Sequence, residues 1–413
     1  FSLVQCTVTH FLTINDDAPG LEGEALGSYP TPGYIDRHGN VSSQFSIKSG
    51  GDGVWLGESQ DLKTIRLIGA NDRKPFVSFR PPRVAQEGTL AMITTVSTGD
   101  TTVANSLIAT RPNEEVRTLL IGGDPVPVSL AEDDPEKSIA AIREMSIDNS
   151  GKISCIISRN AFGDFGMILS YLEEQGWTEV ARLFTTAPGT TDEFRAFNLL
   201  TVAEETVVFT ATTSRGTNGQ HGIWRARDGS LELIALADEL FGDGKGSQAP
   251  GGIPGATFFD VRLPLVADTG ASYFRAQLVL GPNVDLTNNE MIVRHDSESG
   301  LQTVVMENGP APGLPEGYTI PTVPDRFVIN PAGRFAMIAD ARDPEGILET
   351  WLWVSDTNGK LEPILNVGDS LFEKTITEMA LLDGFDPDDA NKSGRSGGDG
   401  MAGPFNKKGQ LVI

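Results

Sequence analysis

Asn330-Pro331-Ala332-Gly333-Arg334-Phe335-Ala336-Met337-Ile338-Ala339 is a short polar turn that ends in glycine and opens at once into an apolar run. The same punctuation appears as Asp36-Arg-His-Gly39, Ala85-Gln-Glu-Gly88, Asp148-Asn-Ser-Gly151, Ala267-Asp-Thr-Gly270 and Asn406-Lys-Lys-Gly409, with a degenerate copy at Ala203-Glu-Glu-Thr206. From Gly39 to Gly409 the mean period is about 62 residues. That is longer than the roughly 40 to 50 residues of the commonest propeller repeats and far longer than most solenoid units.

After each turn the chain follows one script. A first run of strand length (Ile153 to Ile157, Tyr273 to Leu278, Phe335 to Ala339) is followed by a second (Val54-Trp55-Leu56, Met167-Ile168-Leu169, Gly222-Ile223-Trp224, Met291-Ile292-Val293, Trp351-Leu352-Trp353). A third comes next (Leu119 to Ile121, Val180 to Phe184, Leu233 to Leu236, Thr303 to Met306, Ile364 to Val367) and leads into Gly, Asp, Ala and Pro, as in Asn308-Gly-Pro-Ala-Pro-Gly313. An irregular fourth stretch, such as Thr257 to Val261 or Arg326 to Ile329, enters the next glycine turn. Four short strands joined by Gly, Pro, Asn and Asp turns are the pattern of a propeller blade. Seven turns therefore predict an all-β chain, a seven-bladed β-propeller of four-stranded antiparallel blades in a single domain, residues 1–413. A stacked solenoid is the rival architecture, disfavoured because the unit holds four strands and no helix.

The ends of the chain divide one blade. Phe1 to Cys6 and His10 to Asn15 fit its outer two strands, and Phe405 to Gly409 with Gln410 to Ile413 supply the inner two. One blade, 1–20 plus 403–413, is thus shared between the termini, and its completion removes exposed edges that would pair with another chain. In an up-and-down blade both termini lie on the face that carries the blade-to-blade links, together with the glycine-rich segments 241–255 and 383–403.

With 56 acidic and 32 basic residues the net charge is −24, which argues against nucleic-acid binding because phosphates are repelled. No apolar run approaches the roughly eighteen residues of a membrane-spanning helix. A mature chain that begins at Phe1 implies processing. Cys6 and Cys155 fall on different blades, so Cys155 reads as a small buried hydrophobe, while Cys6 is a free thiol or bridges to another copy.

Asn330-x-x-Gly333-x-x-Ala336-Met337, with Gly222-Ile-Trp224 and Gly309-Pro-Ala-Pro-Gly313 in other copies, resembles the tandem N-x-x-G-x-x-A-F repeat of bacterial surface proteins. More distantly, the order of turn and strand is similar to the TolB-like propeller repeats. The resemblance covers essentially the whole chain. It departs from the pattern at Asp36, Asp148, Ala85 and Ala267, which stand in place of Asn, and at the missing glycine near Thr206. It implies an exported, extracellular or cell-surface protein, and it carries no catalytic residues.

Catalytic signatures are sparse. His10, His38, His221 and His295 show no metal-ligand spacing, G-x-S-x-G elbows are absent, and Gly242-Asp-Gly-Lys-Gly246 lacks the strand and helix that would make it a phosphate cradle. The strongest metal candidate is Asp383, Asp386, Asp388 and Asp389, a run of carboxylates of the kind calcium prefers, although Ala390 stands where a further ligand belongs. No other cofactor is expected. Trp55, Trp224, Trp351 and Trp353 recur at equivalent strand positions and read as packing between blades; Trp177, at a hairpin, is freer to be exposed.

The main expectation is a non-catalytic extracellular scaffold, not an enzyme, that assembles with copies of itself through strand addition by Phe1, Leu3, Val4, Cys6, Val412 and Ile413. The alternative is a propeller that binds surface glycan or another extracellular protein, or a polysaccharide-degrading enzyme with a site at the central channel.

Overall fold

Glycine decides the turns because each needs one residue with positive φ, which glycine adopts without a Cβ clash. Gly151, Gly270 and Gly333 all have φ of 82°. In the third of these, the Asn330 N–H donates to the Arg334 carbonyl at 2.8 Å and the Gly333 N–H donates to the Asn330 carbonyl at 2.8 Å. Asp148–Lys152 and Ala267–Ala271 close in the same way. The degenerate copy has no glycine because it is a tighter turn: Ala203 pairs directly with Thr206, and Glu204 takes the left-handed conformation with φ of 48°.

The computed structural model describes residues 17–18, 23–27, 34–35, 41–48, 52–57, 67–69, 76–79, 82–85, 89–97, 103–111, 115–128, 138–159, 166–214, 220–238, 246–251, 253–325, 327–356, 359–371, 374–379 and 381. Phe1, Leu3, Val4, Cys6, Val412, Ile413 and the proposed shared strands lie outside the described residues, as do Asp383, Asp386, Asp388 and Asp389. Within the described residues the fold is all-β, with no helix.

Five four-stranded sheets and one five-stranded sheet follow one another, and within each the strands pair antiparallel. The first sheet holds Tyr34–Ile35, Val41–Ser46, Asp52–Gly57 and Leu67–Gly69. In the second, Leu90–Ser97, Val103–Thr110 and Arg117–Ile121 follow Phe76–Phe79, and Arg83–Val84 also pairs. The third is Ala141–Ile147, Ile153–Ser158, Gly166–Leu172 and Gly176–Arg182. The fourth is Phe194–Ala203, Thr206–Thr213, His221–Arg227 and Ser230–Leu236. The fifth is Phe258–Val266, Ser272–Leu278, Glu290–Asp296 and Gly300–Met306. The sixth is Phe327–Ile329, Phe335–Arg342, Leu348–Ser355 and Leu361–Asn366.

The sheets pack face to face in chain order, which makes the fold propeller-like. One apolar cluster joins the second and third sheets through Leu107, Ile139, Met145 and Cys155. The next joins the third and fourth through Ile168, Phe194, Phe209 and Trp224. Further clusters join the fourth to the fifth through Val208, Phe258 and Phe274, and the fifth to the sixth through Tyr273, Ile292, Phe335 and Trp353. The third to sixth sheets are therefore apolar on both faces, and their strands read as continuous Val, Ile, Leu and Phe runs rather than strict alternation. Cys155 is fully buried and its thiol is pushed up by burial, as the sequence implies. Trp224 and Trp353 are fully buried between sheets, while Trp177 is half-buried with its ring 5.0 Å from that of Tyr171.

Turns between first and second strands and between third and fourth strands lie at one end of the sheets; hairpins between second and third strands and the sheet-to-sheet links lie at the other. The links share a design. Ala187-Pro188-Gly189, Ala249-Pro250-Gly251 and Ala311-Pro312-Gly313 each turn back through the alanine N–H, which donates to Asp192, Ala256 and Tyr318 carbonyls at 2.7, 2.9 and 2.9 Å. The buried tryptophans report to these links: the Trp224 indole N–H donates to the Pro188 carbonyl at 3.0 Å and that of Trp353 to Pro312 at 2.9 Å. The glycine turn is less selective than its use as a counter assumes. Asp343–Ile347 and Asp356–Lys360 close the same hydrogen bonds inside the sixth sheet, so the motif marks hairpins generally.

Candidate functional site

Repetition supplies an internal control on every position of the fifth sheet. The third strand of the second to sixth sheets carries an irregularity in its pairing with the fourth, after Leu107, Ile168, Ile223, Ile292 and Leu352. Aligned on that mark, the second-strand residue facing it is Ile93, Ile156, Thr210, Arg275 and Ile338. The residue that leaves the fourth strand is Gly122, Leu183, Ala237, Glu307 and Val367, and its N–H donates to the carbonyl of Asn105, Gly166, His221, Glu290 and Thr350. Among these five sheets only the fifth places a formal charge at these positions; in the first sheet, aligned through Val54, the counterparts of Arg275, Glu290 and Glu307 are Gln44, Asp52 and Gly69. Arg275 and Glu307 stand where the other described sheets use apolar or neutral residues, and Glu290 shares its position with a charge only in the first sheet, so the sheet architecture does not require the three together.

The three meet at the link end. Arg275 is 8% exposed; its Nη2 donates to Glu290 Oε2 at 2.6 Å and its Nη1 to Asp325 Oδ1. Asp325 lies in the link to the sixth sheet, with its carboxylate well exposed. Glu307 is half-buried beside them, and its Oε2 has no hydrogen-bond partner among the described residues. Burial, and then the like charge of Glu290, raise its carboxyl above the ordinary range against the pull of the Asn289 and Glu290 amides and of Arg275. The next residue, Asn308, has φ of 50° and is held by its Nδ2, which donates to the Thr287 carbonyl at 2.6 Å. The strand exit that presents Glu307 is thereby fixed. A carboxyl raised in this way beside carboxylates paired to a guanidinium is the kind of arrangement that separates an acid from a base.

The same end displays residues pushed out of the first strands by β-bulges. Register breaks between Ile142 and Glu144, between Phe194 and Ala196, and between Phe197 and Leu199 leave Arg143, Arg195 and Asn198 as the extra residues, all exposed. In a strand whose two faces are packed, a bulge is the way a side chain is re-aimed outward. The Arg195 guanidinium lies 4.9 Å from the centre of the Phe184 ring and 3.3 Å from Glu193.

A second polar group lies at the opposite end, between the fourth and fifth sheets. Arg225 pairs with Glu232, and His295 is held below the usual imidazole range by burial and then by the Arg225 charge. His221 is exposed at the link end, away from His295, and His10 and His38 lie outside the described residues. Among the described residues no three His, Cys, Asp or Glu side chains converge closely enough to hold a metal. The sequence pointed to none of Arg275, Glu290, Glu307 and Asp325; the signal was a charge interrupting an apolar repeat position.

The model of a family of unknown function (DUF7453) matches residues 15–413. None of the curated proteins matches the chain. Among solved structures, the chain is similar to an ulvan lyase of a new polysaccharide lyase family, PL25, at 11% identity over 81% of this chain and 82% of that one, with a TM-score of 0.39. It is also similar to the α-L-arabinofuranosidase Arb93A of Fusarium graminearum (10% identity, 71% and 81% covered, TM-score 0.31) and to a GH43 β-1,3-galactosidase (13% identity, 70% and 96% covered, TM-score 0.30). These matches correct the main expectation drawn from the sequence. The three chains named are enzymes that act on polysaccharides or glycosides, and the expectation of a non-catalytic self-assembling scaffold, not an enzyme, is not carried further.

Proposed function

The chain belongs to the DUF7453 family, and we propose that it cleaves glycosidic bonds in a carbohydrate polymer at the link end of its fifth sheet. The observation that carries this reading is the charged group Arg275, Glu290, Glu307 and Asp325, in which Arg275 and Glu307 occupy positions that the other described sheets fill with apolar or neutral residues. Glycoside hydrolysis uses two carboxyl groups, one protonated to serve the leaving oxygen and one ionised on the other side of the bond. Glu307 is the acid. Glu290, fixed by Arg275, is the carboxylate, and Arg143, Arg195 and Asn198 on the same end offer hydrogen-bond donors along a chain of sugars.

The ring that presents this group is proposed to have seven blades. A link of the common design precedes the first sheet, with Asp17 bridging Ala25 and the Ala18 N–H donating to Glu24. Another link, the hairpin of Ser370–Leu371 and Lys374–Thr375, follows the sixth. Leu381 packs on Val328, Ala336 and Leu352 of the sixth sheet, as a further sheet would. Residues 1–20 and 403–413 supply that blade, and a polymer substrate fits the exported setting expected from the sequence.

The test is a panel of soluble polysaccharides assayed for new reducing ends. Glu307→Gln and Glu290→Gln each lower turnover by at least about a hundredfold, the low end of what positioned acid–base catalysis contributes. Binding of a polysaccharide without turnover, or turnover that survives Glu307→Gln, would remove the catalytic assignment.

A further inference from the structure

The glycine turns meet one another at the end opposite the charged group. Asn149, in the turn of the third sheet, donates through Nδ2 to Asp268 Oδ2 in the turn of the fifth at 2.5 Å, passing over the fourth sheet altogether. The Asp268 N–H in turn donates to Pro331 O in the turn of the sixth at 3.0 Å. Three turns thus come together around Asn149 and Asp268.

Asp148, next to Asn149, is wholly buried. Its Oδ1 accepts from the Ser150 N–H at 2.9 Å, the Ser150 hydroxyl at 2.7 Å and the Lys152 N–H at 2.9 Å. Its Oδ2 is buried with no hydrogen-bond partner among the described residues, and the same holds for Asn149 Oδ1. The turn does not need this charge. Ala267 closes the same backbone hydrogen bonds with no polar side chain, and Asn330 makes the side-chain bond to Arg334 N–H at 2.8 Å while neutral. A buried oxygen left without a donor costs roughly 1–3 kcal/mol, and more when charged. Burial raises the Asp148 carboxyl against the pull of Ser150 and Lys152. Lys152 is the cation that acts on it, yet the Lys152 Nζ points to the Glu205 carbonyl at 3.4 Å.

We propose that a hard cation with oxygen ligands, of the calcium or magnesium class, is held where these turns converge, by Asp148 Oδ2, Asn149 Oδ1 and the Asp268 carboxylate. Two carboxylates and an amide oxygen suit such an ion, which takes its remaining ligands from backbone carbonyls and water. The ion ties the turns of non-neighbouring sheets together and so stiffens the ring. None of these ligands belongs to the acidic run Asp383 to Asp389 of the sequence.

Thermal unfolding of the full chain, stripped with chelator and then titrated with calcium chloride or magnesium chloride, tests the proposal. The wild type gains several degrees with one of the two ions, by mass action on the folded state. Asp148→Asn, which keeps the turn as Asn330 does, loses that response and without added ion melts no lower than the stripped wild type. Asp386→Asn with Asp388→Asn keeps the response. The proposal is overturned if the wild type is indifferent to both ions, if Asp148→Asn responds as the wild type does, or if the response disappears with Asp386 and Asp388 instead.

Discussion

Glu307 occupies a position that is leucine in the third sheet and alanine in the fourth, and its raised carboxyl has consequences that can be measured. As a proton donor it works while protonated, so activity falls as pH rises through its raised value. Burial is the larger cause and the Glu290 charge the next; Glu290→Gln therefore moves the alkaline limb of whatever activity remains to lower pH, read from a kcat/KM profile. An unmoved limb would detach the limb from Glu307. The sign for stability follows from the same shift: the folded chain holds this proton more tightly than the unfolded one, so Glu307 costs stability as pH rises from the ordinary carboxyl value through the raised one. Glu307→Gln melts no lower than the wild type at pH 7 and loses that advantage at pH 4, by calorimetry at both. At the turns the sign is reversed, because the sequence is already at its optimum. Gly333→Ala puts a Cβ at φ of 82° and costs roughly 1–2 kcal/mol, read from urea unfolding. Such turns were plain in the sequence, since Asn-x-x-Gly and Asp-x-x-Gly state their conformation in their own residues. The charged group was not, because Arg275 and Glu290 lie 15 residues apart and share a site only through strand register. The acidic run at 383–391 drew the eye by being contiguous.

Strands were legible wherever apolar runs of strand length lay between turns, and the described second, third and fourth strands fall on the runs read from the sequence. The first strands were harder, as Phe194–Ala203 and Phe258–Val266 contain bulges that break any fixed period. The links were missed as a motif, although Ala-Pro-Gly recurs at Ala18, Ala187, Ala249 and Ala311. Their role explains why tryptophan recurs on third strands. Trp353 is buried on all sides and its N–H satisfies Pro312 O, so the side chain both fills the gap between sheets and clasps the link. Trp353→Ala removes the volume and the bond and costs about 3–5 kcal/mol. Trp353→Phe keeps most of the volume and orphans the carbonyl, for a loss of roughly 1–3 kcal/mol. Equal losses from the two substitutions in denaturant unfolding would mean that the bond to the link, and not the volume, sets the cost.

The whole molecule is a ring problem. A row of two-faced sheets leaves an uncovered apolar face at each end, and closure covers both at once. On the sixth sheet Val328, Ala336 and Leu352 are buried together with Leu381. On the other side, Leu26 is fully buried and bridges Ile47 at the edge of the first sheet, immediately after the link that holds Ala18. If residues 1–20 and 403–413 share the last blade, the outer strands before that link hold the two ends of the chain together. A chain that begins at residue 17 then loses the outer half of the blade and leaves a sheet edge unpaired. It melts lower by at least several degrees and over a broader range than the full chain, because the sheets no longer unfold as one closed unit. A synthetic peptide of residues 1–16 added in excess restores part of the loss, since it can pair with the vacated edge. Full-length behaviour from the shortened chain, in both midpoint and sharpness, would mean that the ring closes without these strands.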